Sequence, residues 1–305
     1  MAFTASDVKK LREMTGVGMM DCKKALVETN GDIDAAIAFL REKGLAAAAK
    51  KSGRIAAEGI VFADVNADGV GVIVEVNSET DFVAKNTDFQ KFVEDVAGVV
   101  TNNDPDDLDS LLEMNYPGTD LTVAEVQQDK ILVIGEKIGI RRFERIAEGY
   151  NVTYVHMGGN IGVLVNMDVS DNISDSETVK ELGKDVAMQI AAMRPRYLNA
   201  DEVDEETIEE EKRILMAQTL QEGKPEAIAE KIVAGRIKKF YEEYCLLNQA
   251  FVKESKQTVG EHIESVAKEL GGTISVVRFV RYEKGEGIEK RSDNLADEVA
   301  KMVGK

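Results

Sequence analysis

A recurring pattern in the middle of the chain does most to limit the fold. Glu58-Gly59-Ile60-Val61 is followed, twelve residues after its glycine, by Gly71-Val72-Ile73-Val74, and later by Asp95-Val96-Ala97. Glu148-Gly149-Tyr150-Asn151 is followed, thirteen residues after its glycine, by Gly162-Val163-Leu164-Val165, and later by Asp185-Val186-Ala187. Short apolar runs rich in β-branched residues read as strands, and glycines between them read as turns. Each copy therefore reads as strand, turn, strand, loop, helix. Two sheet-plus-helix subdomains of this kind give an α+β fold.

The copies differ most in the loop between the second strand and the helix. The first has Ser78-Glu79-Thr80-Asp81-Phe82-Val83-Ala84-Lys85, and the second has Asp171-Asn172-Ile173-Ser174-Asp175-Ser176-Glu177, with no aromatic. A large aromatic beside a carboxylate at a loop tip is poorly placed for a core, and binding residues concentrate on loops carried by rigid frames. If both copies share a scaffold, the Asp81-Phe82 tip is an addition the scaffold does not require. The alternative is that Phe82 folds back onto the body and Asp81 caps the next helix, which begins near Thr87.

The flanking segments are helical. Over residues 1–44, Thr4 with Asp7 reads as a capping box. Val8 and Leu11 follow helical spacing, Asn30-Gly31 stops a second helix, and Asp32 caps a third that carries Ile33, Ile37 and Leu40. Gly44 is expected to end that third helix. The Ala-rich basic run at 45–54 reads as a helical linker that breaks at Ser52-Gly53. Residues 106–114 and 122–137 have helical spacing. Two long helices, from Asp201 to about Gln221 and from Glu226 to about Leu246, meet at Gly223-Lys224-Pro225 and read as an αα-hairpin. It interrupts the second copy, whose next strand begins near Thr273. A final helix is expected over 292–303, with Leu295, Val299 and Met302 on one side.

The net charge of −18 over 305 residues argues against binding nucleic acid directly, since that depends on Lys and Arg neutralising phosphates. The charge is uneven: residues 1–55 hold ten Lys or Arg against seven acids, so the rest of the chain is near −21. A basic head on an acidic body implies two surfaces with different tasks. Met19 and Met20, beside Gly16 and Gly18 and flanked by Arg12 and Lys23, read as a partner-facing loop or as core. No run approaches the roughly 20 apolar residues of a membrane span, and no secretory signal is evident. Cys22 and Cys245 form no CxxC, so a reduced, cytoplasmic protein is the simplest reading.

Enzyme chemistry is thinly supplied. The two histidines, His156 and His262, and the two cysteines lack zinc spacing. The glycine pairs at 16–18, 69–71 and 285–287 complete no G-x-G-x-x-G, and no phosphate-binding loop exists. No metal, cofactor or bound nucleotide is therefore expected. Two rival readings stand beside the projecting loop: an adaptor that binds only through its three-helix head, and an enzyme built on His156 or a carboxylate pair.

The segments Leu11-Arg12-Glu13-Met14-Thr15-Gly16-Val17-Gly18-Met19-Met20-Asp21-Cys22-Lys23-Lys24 and Glu79-Thr80-Asp81-Phe82-Val83-Ala84-Lys85-Asn86 resemble the two signatures of the bacterial elongation factor Ts family. Ile138-Gly139-Ile140-Arg141-Arg142, Gly223-Lys224-Pro225, Lys256-Gln257-Thr258-Val259-Gly260 and Gly285-Glu286-Gly287-Ile288-Glu289-Lys290 extend the resemblance along the chain. The resemblance implies a guanine-nucleotide exchange factor for elongation factor Tu, with no enzyme activity of its own. It also implies the division of the chain: a ubiquitin-associated-like three-helix domain at 1–54, a core subdomain at 55–145, a second at 146–199 and 247–284, a coiled-coil hairpin at 200–246 and a C-terminal module at 285–305. The hairpin is a candidate for self-association into a homodimer. Thr80, Asp81, Phe82 and Val83 are expected to bind the partner, with Asp81 and Phe82 matching the pair that intrudes near its magnesium site. Arg12, Met19, Met20 and Lys23 match an N-terminal contact surface, and Ile134, Gly135 and His156 match further contacts.

Overall fold

The computed structural model describes residues 3–289; the helix expected over 292–303 lies outside the described residues. In chain order the elements are α1 (Ala5–Thr15), α2 (Met19–Glu28), α3 (Ile33–Lys51), β1 (Glu58–Val65), β2 (Gly71–Ser78), α4 (Asp81–Ala84), α5 (Thr87–Asn103), α6 (Leu108–Glu113), α7 (Val123–Ile134), β3 (Ile138–Ile146), β4 (Tyr150–His156), β5 (Ile161–Val169), α8 (Glu177–Met193), α9 (Glu205–Gln221), α10 (Glu226–Tyr244), β6 (Ala250–Phe251), β7 (Glu254–Thr258), α11 (Val259–Leu270) and β8 (Ile274–Glu283). The protein is a mixed α+β fold. Its strands form a sheet in the order β1-β2-β3, a sheet in the order β4-β5-β8, and the ribbon β6-β7. No described helix is long and apolar enough to cross a membrane.

The chain forms two compact units. One holds the described residues up to Phe62, Val74–Phe143 and residues 283–289; the other holds Ala63–Ile73 and Glu144–Tyr282. In the first, α1 starts with a capping box: the Thr4 hydroxyl accepts from Asp7 N–H, and the Asp7 carboxylate accepts from Thr4 N–H at 2.7 Å. Val8, Leu11, Cys22, Leu26 and Leu40 fill the core among α1, α2 and α3, and Leu132 of α7 packs against it.

Gly44 does not end α3, which continues through the Ala-rich run to Lys51. The glycine is buried where α3 packs on α7, and a Cβ there would lie at an ordinary contact distance of 3.5 Å from the Gln128 backbone oxygen. Arg41 of α3 reinforces that contact through an ion pair with Glu125 at 2.9 Å. The segment expected as a linker from residue 45 is thus the second half of a packed helix. Helix α7 stops at Ile134, three residues before the expected end, because Gly135 takes a left-handed conformation as its C-cap.

Strand β2 is buried along its whole length. It includes Glu75, a charged residue with no exposed surface. The Glu75 carboxylate accepts from Arg142 Nε at 2.6 Å, Arg141 Nη1 and Asn77 Nδ2 at 3.0 Å, and Gly285 N–H at 2.8 Å. Burial alone would raise this carboxyl, but the bonds from Gly285, Asn77, Arg142 and Arg141 hold it below the usual carboxylate range. This cluster fastens residues 283–286 to the first unit; Arg141 also donates to Glu286 O, and Lys284 pairs with Glu58.

In the second unit β4 and β5 pair antiparallel from Tyr150 opposite Met167 to His156 opposite Ile161. Helix α8 packs on both strands. Val163, Val165, Met167, Val186, Ile190, Phe251 and Ile263 share one core. Helices α9 and α10 pack on each other as a hairpin. Its base is closed by Val203, Ile208, Phe240 and Cys245, with the Phe240 and Tyr244 rings 4.8 Å apart. The β6-β7 ribbon was not expected, because Glu254–Thr258 carries no apolar alternation.

Candidate functional site

The loop from Glu79 to Asn86 contains the most exposed large apolar side chain among the described residues. Phe82 is 79% exposed, so the reading in which it folds back onto the body is excluded. It sits in the single turn α4, between Asp81 and the buried pair Val83 and Ala84. One turn cannot hold itself in water, since the first hydrogen bond fixes several dihedrals at once. Its conformation is set from both sides.

On the leading side, Thr80 N–H donates to Glu136 Oε2 at 2.9 Å, and its hydroxyl donates to Glu136 Oε1 at 2.7 Å. Glu79 accepts from Lys137 N–H at 2.6 Å and from Arg54 Nη1 at 3.1 Å. Lys137 Nζ in turn donates to Ser52 O at 2.6 Å and Arg54 O at 3.0 Å. On the trailing side, Val83 and Ala84 are buried, and Gln90 donates to Ala84 O at 3.2 Å. Asn86 then caps α5, accepting from Asp88 N–H and Phe89 N–H. Phe82 is held outward on a frame fixed at both ends.

Asp81 does not cap a helix; that position belongs to Thr80, whose side chain makes no cap bond. The Asp81 carboxylate instead accepts from Lys85 Nζ at 2.7 Å, and the same ammonium lies 5.9 Å from the centre of the Phe82 ring. Hydrogen bonding to Lys85 holds the Asp81 carboxyl below its ordinary range. The tip thus offers an ionised carboxylate, an apolar ring and a cation within one turn.

The other sequence candidates are placed as follows. Met19 and Met20 are exposed, Met20 by 64%, and Arg12 and Lys23 are exposed with them. Beneath this surface Cys22 is fully buried, its thiol donating to Val17 O at 3.4 Å. Ile134 and Gly135 close α7, directly before Glu136 and Lys137. Ile134 also lines a cleft of about 480 Å³ with Met14, Val17, Leu40, Tyr116 and Asp129. His156, in the second unit, is half-buried, with Nδ1 2.9 Å from the Tyr154 hydroxyl. The first unit therefore brings Glu79, Thr80, Ile134 and Gly135 together through the residues at 136 and 137, whereas His156 belongs to the second unit. Sequence reading missed Arg54, Glu136 and Lys137. Only the position of Glu136 directly after Gly135 could have marked it.

Among the described residues, no group of three or more His, Cys, Asp and Glu is placed to hold a metal ion, and both cysteines are free.

The sequence profile of the family described as Elongation factor TS matches residues 79–286. The chain is 51% identical over 305 residues to Elongation factor Ts of Syntrophotalea carbinolica, covering 99% of this chain and all of the relative. It is 51% identical over 305 residues to Elongation factor Ts of Clostridium perfringens, covering 99% of each. It is 52% identical over 303 residues to Elongation factor Ts of Clostridioides difficile, covering 98% of each. The exposed ring on its fixed turn thus belongs to a chain of the bacterial elongation factor Ts family, the nucleotide-exchange factors of translation elongation.

Proposed function

We propose that this protein binds elongation factor Tu and promotes GDP release by setting Asp81 and Phe82 against the partner's magnesium and phosphate site. The exposure of Phe82 on a turn fixed at both ends carries this reading. The chain makes and breaks no covalent bond in this role. It acts by antagonism: protein and nucleotide each weaken the other's hold on the GTPase, by the same factor in both directions.

Magnitudes require a second footprint. Weakening a ligand about 10⁴-fold takes roughly 5.5 kcal/mol of differential binding, while burying one Phe contributes about 1.5–3 kcal/mol. The further contacts are Arg12, Met19, Met20 and Lys23 on the head, Ile134 and Gly135 at the end of α7, and His156. Thr80 and Val83 hold the tip. Magnesium is a fitting target because it bridges nucleotide phosphates to a GTPase, and an ionised Asp81 adds a competing carboxylate.

The finer architecture follows the same reading. The head at 1–54 is ubiquitin-associated-like, and the regions at 55–145 and at 146–199 with 247–284 are two versions of one subdomain. The hairpin at 200–246 is a coiled-coil insertion suited to self-association, and the module at 285–305 adds to the partner contact. The protein works in the cytoplasm, without touching nucleic acid or membrane.

Release of fluorescent mantGDP from purified elongation factor Tu, with and without this chain, tests the proposal. Acceleration that drops sharply in Phe82→Ala, with melting temperature unchanged, supports it. Full acceleration by that variant rejects the wedge.

A further inference from the structure

We propose that Glu136 is a positioning residue for nucleotide exchange, fixing the aim of Phe82 through Thr80; this rests on the wedge reading above. Thr80 occupies an N-cap position, where a Thr hydroxyl ordinarily accepts from the helix N–H groups. Here it makes no such bond. Both of its donors go to one carboxylate, the backbone N–H to Glu136 Oε2 at 2.9 Å and the hydroxyl to Glu136 Oε1 at 2.7 Å. The carboxylate is therefore used as a two-pronged acceptor that fixes the backbone and the χ1 of Thr80 together.

The neighbouring residues repeat the device in the opposite sense. Glu79 accepts from Lys137 N–H at 2.6 Å, so each of the two segments offers a carboxylate to the other's backbone. This reciprocal clamp has two consequences. It fixes the start of α4, two residues ahead of Phe82, while burial of Val83 fixes the residue after it. It also joins the tip to Ile134 and Gly135, which immediately precede Glu136. Lys137 Nζ extends the tie to Ser52 O and Arg54 O, at the end of α3. The wedge, the end of α7 and the tail of the head's last helix then move as one body. A ring that must displace a tightly bound ion needs such a mount, because interaction energy spent on aligning a loose loop is lost to the displacement.

The clamp's effect must pass through the ring, and a double-mutant cycle detects this. The variants are Glu136→Ala, Glu136→Gln and Thr80→Val, each made with Phe82 present and with Phe82→Ala. The measurement is the maximal rate of mantGDP release from elongation factor Tu at saturating exchange factor, with melting temperature recorded for every variant. With Phe82 present, Glu136→Ala is expected to slow the maximal rate about tenfold, the scale of a hydrogen bond to a charged group. Glu136→Gln loses less, since its amide keeps one acceptor oxygen, and Thr80→Val falls between them. In the Phe82→Ala background all three lose nothing further. The same fold-loss in both backgrounds, or no loss with Phe82 present, overturns the role of Glu136 while leaving the wedge intact. If Phe82→Ala alone leaves release unchanged, the wedge reading fails and the proposal falls with it. Should Glu136→Ala fail to fold, Glu136→Gln and Thr80→Val carry the same comparison.

Discussion

The two strand-to-helix junctions, at β2–α5 and at β5–α8, correspond residue by residue and differ in what they expose. An offset of 90 residues relates them. Helices α5 and α8 are each 17 residues long, and each buries the same eight positions, from Phe89 to Thr101 in one and from Val179 to Ala191 in the other. Both end on a left-handed residue that is not glycine, Asp104 at φ 52° and Arg194 at φ 51°. Gly59 and Gly149 are related by the same offset, and each leaves room for the opposing strand. A Cβ on Gly59 would meet Val76 O at 2.1 Å, and one on Gly149 would meet Asn166 Nδ2 at 2.7 Å. Three residues before each helix cap, Val83 and Ile173 are buried at 8% and 6% exposure. Four residues before it, the first junction presents Phe82 and the second presents Asn172, both exposed. The frame requires the buried plug and leaves the next position open. That is why an exposed ring there is best explained by function.

The largest expected effect probes a difference inside the frame. At this offset Glu75 stands where the second region buries Val165, so one region places a carboxylate where the other places a methyl-bearing side chain. Leaving a buried charge without its partner costs roughly 3–5 kcal/mol. Because Arg141 still pairs with Glu75 when Arg142 is lost, it is the joint replacement of Arg141 and Arg142 by Ala that should destabilise the first unit by about that much in denaturant unfolding. Arg142 also pairs with Glu286 at 3.1 Å, so the loss extends to the tie on residues 283–286. The pH dependence follows from the depressed carboxyl. Its stabilising contribution is complete above its ordinary value of 4.5 and declines as pH falls below that toward the folded-state value. Glu75→Gln should therefore flatten the acid limb of the stability curve. An unchanged acid limb would show that other carboxylates govern it.

Exchanging the exposed residues sharpens the comparison. Phe82→Asn should lower stimulated mantGDP release by about 10- to 150-fold, the equivalent of roughly 1.5–3 kcal/mol for one buried Phe. Its melting temperature should hold. Asn172→Phe should leave exchange unchanged and cost about 1 kcal/mol of stability, because Asn172 Nδ2 donates to Gly271 O. A loss of exchange from Asn172→Phe equal to that from Phe82→Asn would dissolve the distinction between the junctions.

The parts legible in sequence were those governed by neighbours along the chain. Thr4 with Asp7, the Asp32 cap and the Pro225 turn announce their helices locally. The aromatic tip stood out because the second junction lacks one. What stayed hidden depends on distance through space. Gly44 has the signature of a helix stop, yet α3 runs through it to Lys51 with α7 packed alongside. In sequence Glu75 only interrupts an apolar strand, and its role comes from Arg141, Arg142 and Gly285, which lie 66, 67 and 210 residues away along the chain. The Glu136–Thr80 bond spans 56 residues of sequence, and no local pattern encodes such a pair.

The smallest effect separates a cap that only starts a helix from one that also backs the tip. Asn86 accepts from two N–H groups, at 2.8 and 3.2 Å, whereas Ser176 accepts from one at 3.2 Å. Replacing either by Ala should cost about 1 kcal/mol, with Asn86→Ala the more costly of the two. The consequences for exchange should diverge. Asn86 N–H also donates to Val83 O at 2.9 Å, so the cap is continuous with the plug directly behind Phe82. Loosening it lets the ring wander, and stimulated GDP release should fall a few-fold at a temperature where the variant is fully folded. Ser176 N–H makes the matching bond to Ile173 O at 3.0 Å, but no ring stands in front of that plug. Ser176→Ala should therefore lower the melting temperature and leave exchange untouched. If the two variants slow exchange equally, the loss reflects general stability, and the first junction holds its cap for no purpose beyond folding.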